Sequence, residues 1–594
     1  MTEPVNHIAR RERLLASLLG LVPFAVYRAA ALPSVGYIDS GELSAVAVQL
    51  GIAHPTGYPL FTLLGRIASM LPGGEKIVLL NTMSAFFAAA AVPLVFFIAL
   101  ELLEPLRERR TAVHHAGAFS GATALAFSQT FWRQGIGVEV YSLHLALLGG
   151  VLLSLLRAAG TGAARYWILS AFLLGLSFTN HMTTLLLLPA AAYLFFVTGG
   201  PFRESLRRLV VLGAPFAAGL SLYLYLPLRA ASHPPLNWGN PSAWEQLLWH
   251  VSGKQFRVWM FTSTESARRQ FEYFVQRLPE EFALVPFLIA AVGLFVVLFS
   301  DRRTFVFLAL LFAACVGYSV NYDIHDIDSY FLLAFVATAL FLPFGFLFIV
   351  RRFPSHRATI AAWTIAVTIA GIPLWQNWGE VEQHEQRLPE EYTRSILESL
   401  PPGAVVLSYQ WDYFVAPSYY LQRVRSLRPD VVVLDKELFR RSWYFEQLKR
   451  QHPEVMQASM REIDAFLAEL SKFEHGLPYA YEQIEGRYTD LLLSFVEKNS
   501  EKRGVFVTNE IEPQYFRGFQ KVPVGILYKL TKKSDFIPPL HSAVPAPSER
   551  YRDTYSANLR RIIATAFQHR SEYDRYFRND TLSAHFSALS QRFQ

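Results

Sequence analysis

Apolar runs long enough to cross a bilayer, about 20 residues each, recur through the first 379 of the 594 positions, and nothing else in the chain restricts its fold as much. They lie near 14–32, 78–102, 113–131, 139–157, 165–179, 182–198, 209–228, 283–300, 304–320, 330–350 and 358–376. The third and fifth are short and carry polar residues, so eleven spans is a count good to about one. The first run is long and lacks a small-residue cleavage site, so it reads as an anchor and not as a cleavable signal peptide.

Composition agrees. The chain is 52% hydrophobic and 17% charged, against about 25% charged in soluble proteins, which excludes a single large soluble enzyme. Residues 1–379 hold 26 Lys/Arg and 19 Asp/Glu, whereas 380–594 hold 29 of each, so the net charge of +7 belongs to the apolar part. The expected division is a transmembrane domain over 1–378 and a water-soluble domain over 379–594. Cys315 is the single cysteine, which excludes an intrachain disulfide framework and a cysteine-rich metal cluster.

Orientation follows from the basic residues in alternate loops. Arg10, Arg11, Arg13, Arg107, Arg109, Arg110, Arg157, Arg165, Arg203, Arg207, Arg208, Arg302, Arg303, Arg351, Arg352 and Arg357 fall on one side, and only Arg66, Lys76 and Arg133 occupy the short loops opposite. Positive charge stays cytoplasmic. The N-terminus is therefore expected inside the cytoplasmic membrane, and the C-terminal domain in the periplasm or outside the cell. Arginines placed this way mark topology, and no nucleic-acid face is expected.

Two outer loops are long, 33–77 and 229–282. In the first, Leu60, Leu63, Leu64, Ile67 and Leu71 recur at helical spacing with Arg66 on the other face, as in an interfacial helix or a plain amphipathic connector. Beyond Trp375 the pattern changes. Ala404–Tyr409, Val431–Asp435, Gly504–Asn509 and Val522–Leu530 read as strands alternating with helical stretches, which predicts a small α/β domain with a partly parallel sheet and a helical tail from about 550. Gly135-Ile136-Gly137 lacks the third glycine of a dinucleotide fingerprint and Ser252-Gly253-Lys254 lacks the glycine of a phosphate loop, so neither an ATP-driven pump nor a nucleotide-sugar enzyme is supported.

Polar residues concentrate on the outer side. The first loop reads Tyr37-Ile38-Asp39-Ser40-Gly41-Glu42 and then Gly51-Ile52-Ala53-His54-Pro55-Thr56-Gly57-Tyr58-Pro59. Asp39 and Glu42 share a face if a helix starts there, and the same spacing fits a capping box. Further along come Trp132-Arg133, Glu139, Tyr141, His144, Asn180-His181, Arg229, Asn237-Trp238, His250, Lys254 and Arg257. Ionisable groups entering a span, such as Glu139 and His144, require pairing or hydration. Together these residues point to a polar cavity at the outer membrane surface. Asp323, His325, Asp326 and Asp328 have the hard oxygens of a magnesium or manganese site, although a solvated acidic turn is the simpler reading; no cofactor is otherwise expected.

The run D-S-G-E with G-I-A-H-P-T-G-Y-P-L, followed by F-W-R-Q, E-V-Y-S-L, N-H-M-T and L-P-L-R-A…N-W-G, resembles a family of membrane proteins long catalogued as a domain of unknown function, whose animal member is a transmembrane protein O-mannosyltransferase. The resemblance covers roughly residues 14–350 and implies the GT-C glycosyltransferase fold. It implies transfer of a hexose, with mannose the sugar it names, from a polyprenyl phosphate to a protein Ser/Thr hydroxyl or a glycan on the outer face. In GT-C enzymes an acid of the first outer loop is the catalytic base, a position that Asp39 matches, with Glu42 as a second acid. The chemistry needs cations for the leaving phosphate, for which Arg229, Lys254 and Arg133 are candidates, and rings or amides for the sugar, for which His54, Tyr58 and Trp238 serve, with Glu139, Tyr141, His181 and Asn237 as further substrate-binding candidates. The expected partners are the lipid-linked donor, the acceptor and the bilayer. The alternatives are a transporter or flippase for a lipid-linked saccharide and a non-enzymatic assembly factor.

Overall fold

A computed structural model describes residues 3–103, 111–198, 200–541, 543, 545, 550–551 and 553–594. Arg107, Arg109 and Arg110, three of the expected cytoplasmic arginines, lie outside the described residues. The chain forms two compact units, one of Met1–Leu32, His54–Ala231 and Pro241–His384, the other of Pro33–Ala53, Ser232–Asn240 and Glu385–Gln594. A division after residue 378 follows lipid-like composition, which does not register which loops join which unit. Two segments that precede it in sequence, Pro33–Ala53 and Ser232–Asn240, are grouped with the C-terminal residues.

The first unit is helical. All eleven apolar runs carry helix, and among the described residues seven helices are long and apolar enough to cross a membrane: Arg10–Ala30, Lys76–Leu103, Tyr141–Thr161, Phe202–Ala231, Arg302–Ser319, Ile327–Val350 and Arg357–Val381. The run at 283–300 is one arm of a pair, Thr264–Phe282 and Leu284–Ser300, bent by 109°, which makes eight spans if the pair counts as one. The remaining runs differ in length. Ala164–Phe178 has 15 residues, about 22 Å at 1.5 Å per residue against a hydrocarbon core of about 30 Å. Met182–Thr198 is short too, and its first six residues, Met182–Leu187, are of the tighter 3-10 type. The run at 113–131 breaks into Ala112–Ala126 and Gln129–Arg133. There Thr130 turns to the buried Glu281, donating its amide at 2.6 Å and its hydroxyl at 2.9 Å.

Glycines let the helices approach closely, as expected where lipid removes most of the hydrophobic drive for association. A Cβ on Gly293 would collide with the Phe341 carbonyl and one on Gly345 with that of Ile289, so Leu284–Ser300 and Ile327–Val350 meet backbone to backbone. Gly175 and Gly219 do the same for Ala164–Phe178 and Phe202–Leu220. In the helix Pro59–Ala68 the buried face is Phe61, Thr62, Gly65 and Ala68. Its flank and the turn beyond it leave Ile67, Met70 and Leu71 exposed, as an interfacial helix requires.

The second unit contains a five-stranded sheet of β1 (Val405–Ser408), β2 (Val432–Asp435), β3 (Val505–Val507), β4 (Gln520–Pro523) and β5 (Tyr528–Thr531), in the order β2-β1-β3-β5-β4. β1 pairs in parallel with β2 and β3, and β5 pairs antiparallel with β3 and β4. The Val-rich parallel strands are buried on both faces, which explains their unbroken apolar sequences. The run Val522–Leu530 is not one strand but the bend of the β4–β5 hairpin, with Gly525 at φ 130° in its turn. The tail is helical over Thr554–Tyr576 and Asp580–Arg592. The fully buried Arg570 anchors it, pairing with Asp574 at 2.9 Å and donating to the carbonyls of Pro523 and Ile537.

Candidate active site

In the second unit the residues before Asp39 are tied down by aromatic and backbone contacts. Tyr37 stacks on Tyr555 at 5.6 Å and meets Tyr413 edge-on at 5.9 Å. The Ile38 amide donates to the Asp412 carbonyl at 3.2 Å. Ile38 itself has φ 56°, a left-handed conformation that a β-branched residue adopts only where its surroundings impose it. Asp39 then takes the N-cap position of the helix Ser40–Gln49, but its side chain makes no capping bond. The capping-box alternative therefore does not describe this carboxylate. Instead the Trp411 indole donates to Asp39 Oδ1 at 2.7 Å, joining residues 372 positions apart. Glu42, one turn later, is buried. Burial, then Tyr444, Asp435 and Glu42 in that order, hold the nearby Tyr419 hydroxyl well above its usual range. At position 41 only glycine fits: a Cβ on Gly41 would strike the Ala416 carbonyl and sit 2.6 Å from the Pro417 Cα.

Asn237 and Trp238 belong to the same unit. Ile52 bridges to Asn237, with its amide on the Leu236 carbonyl at 2.8 Å and its carbonyl accepting from the Trp238 amide at 3.2 Å. The Asn237 side chain donates to Asn240 at 3.1 Å. The Trp238 ring meets Trp411 perpendicularly at 5.4 Å and lies 5.1 Å from Trp443. Thus Trp411 touches both the D-S-G-E and the N-W-G motif. Sequence reasoning passed over it, because a tryptophan just after a buried strand reads as core. Its place at the carboxyl end of a parallel strand, where α/β sheets carry their functional loops, was the usable signal.

The first unit holds a second cluster, of hydrogen-bonding rings. Tyr58 lies 2.9 Å through its hydroxyl from His54 Nε2 and donates to the Pro55 carbonyl at 3.0 Å. Its ring is parallel to that of His181 at 5.9 Å. His181 also meets Tyr141 at 4.9 Å, His144 at 5.3 Å and Tyr330 at 5.9 Å. The Thr183 hydroxyl joins His181 Nδ1 at 2.7 Å to His144 Nε2 at 2.9 Å. Burial, and after it the neighbouring His54, push His181 down to about 3, so it is uncharged at neutral pH. The turn H-P-T-G-Y-P closes through the Gly57 amide on the His54 carbonyl at 2.8 Å. Gly57, at φ 88°, has the Leu226 and His250 side chains where a Cβ would stand. His54, Tyr58, Tyr141 and His181 are thus brought together, with Thr183 and Tyr330 as members that sequence reasoning did not weigh.

The other candidates are placed singly. Arg133 ends the helix Gln129–Arg133, and Glu139 lies two residues before the span that begins at Tyr141. Arg229 occupies the last turn of Tyr225–Ala231, and the Lys254 ammonium stands over the Trp249 ring at 3.5 Å. In the acidic turn, Asp323 faces Arg269 at 3.6 Å and Asp328 accepts from the Tyr273 hydroxyl at 2.7 Å. Two of the carboxylates considered for a divalent cation thus engage the helix Thr264–Phe282.

Residues 39–202 match the family model of the protein O-mannosyl-transferase TMEM260 N-terminal domain. This chain resembles the TMEM260 family. The match opens on Asp39 and takes in the H-P-T-G-Y-P, F-W-R-Q, E-V-Y-S-L and N-H-M-T segments, so the motif-based resemblance holds. Protein O-mannosyl-transferase TMEM260 of Mus musculus is 25% identical over 445 residues, 70% of this chain and 62% of that protein. Protein O-mannosyl-transferase tmem260 of Dictyostelium discoideum is 25% identical over 480 residues, 70% of this chain and 56% of that protein. The chain therefore spans less than two thirds of the length of either relative. Among solved structures, ArnT from Cupriavidus metallidurans bound to undecaprenyl phosphate aligns with a TM-score of 0.48 and 11% identity, over 72% of this chain and 90% of that one.

Proposed function

We propose that this chain is a membrane glycosyltransferase that moves a hexose, with mannose the first to test, from a polyprenyl phosphate to a protein Ser/Thr hydroxyl or a glycan on the outer face of the cytoplasmic membrane. The observation that carries this reading is the Asp39 carboxylate. It opens the family match, follows a strained turn and is held by an indole instead of capping its helix. A carboxylate so held suits a general base. Asp39 takes the proton of the acceptor hydroxyl as that oxygen bonds to the anomeric carbon. The bond from that carbon to the phosphate oxygen breaks, and the electron pair leaves on the polyprenyl phosphate. Glu42, buried in the helix that follows Asp39, is the second acid, binding the acceptor or orienting the loop.

The other roles follow from chemistry. His54, Tyr58, Tyr141 and His181 offer aromatic faces and hydrogen-bonding edges, which suit a sugar. Arg229, Lys254 and Arg133 carry the charge that stabilises the departing phosphate. Asn237, Trp238 and Glu139 are assigned to substrate contacts. The arginine asymmetry supports a cytoplasmic N-terminus and an outer C-terminal domain. Replacing Asp39 by Asn keeps the shape and removes the base. Purified Asp39→Asn protein, folded and given a polyprenyl-phosphate hexose with an acceptor, should show no transfer above background, and full transfer would overturn the assignment.

A further inference from the structure

We propose that Trp411 is a positioning residue for the catalytic base, so that the C-terminal residues of the second unit aim the reaction and do not merely accompany it. The proposal rests on the reading of Asp39 as that base. The indole Nε1 to Asp39 Oδ1 distance of 2.7 Å lies at the short end for N–H donors. An indole N–H donates and never accepts. It can fix the rotation of the carboxylate without competing for the proton of the acceptor hydroxyl.

The donor is itself rigidly mounted. Trp411 opens a π-helical turn, Trp411–Val415, a form that concentrates at functional sites. Its ring is clamped between Trp238, perpendicular at 5.4 Å, and Tyr419, at 5.9 Å and 78°. The preceding residue is fixed at both ends. The Gln410 amide donates to Ser408 Oγ at 3.0 Å, its side-chain nitrogen donates to both oxygens of Glu510 at 2.9 and 3.1 Å, and its side-chain oxygen accepts from the Tyr392 hydroxyl at 2.7 Å. Through Ser408 this anchorage reaches β1, the central parallel strand. From the other side, the Ile38 amide on the Asp412 carbonyl and the close approach at Gly41 bring Asp39 to the indole. So many constraints on one tryptophan exceed what is needed to fill space beside a carboxylate.

One consequence separates positioning from packing. Without the N–H the carboxylate samples other rotations, which lowers kcat while donor KM holds. Trp411→Phe keeps a ring between Trp238 and Tyr419 and removes only the donor. Assayed as full-length purified protein with a polyprenyl-phosphate hexose and an acceptor, it should lose roughly 10- to 100-fold in kcat with donor KM unchanged. Trp411→His, which restores a ring N–H, should recover part of that kcat, and it provides the comparison if the Phe variant fails to fold. Wild-type kcat in folded Trp411→Phe, alongside an inactive Asp39→Asn, would overturn the positioning role and leave the base assigned. Full activity of Asp39→Asn would overturn the base itself, and the positioning role with it.

Discussion

The glycine of the D-S-G-E motif provides a sharp structural test. An alanine at Gly41 puts a methyl 2.6 Å from the Pro417 Cα and against the Ala416 carbonyl, all of it backbone that cannot swing aside. Carbon atoms pack at about 3.5–4.0 Å, so the helix Ser40–Gln49 must move about 1 Å away from Ala416–Arg423. Overpacking of this kind costs about 1–3 kcal/mol, read as roughly 2–4 °C of Tm per kcal/mol in a unit of this size. The larger effect is on activity. Asp39 stands at the start of the displaced helix while its indole partner stays with β1, and a misplacement of about 1 Å can cost about 100-fold in rate. Purified Gly41→Ala, assayed for kcat and thermal unfolding beside Gly213→Ala, where an added Cβ meets nothing within 4 Å, reports both. A kcat within about twofold of wild type with an unchanged Tm would refute this reasoning.

Two further perturbations test the second unit. Burial pushes the Asp435 carboxyl up to about 7. Its folded value is thus raised above the unfolded one, so the stability it contributes is full below the ordinary carboxylate range and lost as pH rises through about 7. Asp435→Asn, which can still accept the Leu438 amide bond of 2.9 Å, should raise Tm at about pH 8 and change little at about pH 4; equal effects at both would count against it. Arg570→Met leaves the buried Asp574 without its cation and should cost about 3–5 kcal/mol. Arg570→Met/Asp574→Leu should recover most of that in denaturant titration, and a single mutant no less stable than the double would contradict the buried pair.

Much of the first unit was legible in sequence because a 20-residue apolar run has few outcomes. What the runs did not disclose was length and breakage, which depend on neighbours. Just past the break in the run at 113–131, Thr130 bonds Glu281, a residue 151 positions away. Parallel strands were visible in AVVLSY and VVVLD, whereas Val522–Leu530 passed as a strand since a hairpin bend and a strand share apolar residues. At the candidate site the motifs located Asp39, His54, Tyr58 and His181, but composition and spacing left capping and chemistry open for Asp39. The Trp411 bond settled where its carboxylate goes, and nothing local announces a partner 372 residues distant. The clustering of His54, Tyr58, Tyr141 and His181 likewise joins three segments that no sequence period connects.

The central claim is that a new glycosidic bond is made. The most direct measurement reconstitutes the wild-type chain in sealed vesicles with an isotope-labelled polyprenyl-phosphate mannose and an outer acceptor bearing Ser/Thr hydroxyls, and follows the label by mass spectrometry. A glycosyltransferase leaves the label covalently bound to the acceptor, adding one hexose, and releases unlabelled polyprenyl phosphate. Movement of intact lipid-linked sugar across the vesicle wall, with no labelled acceptor, would contradict it.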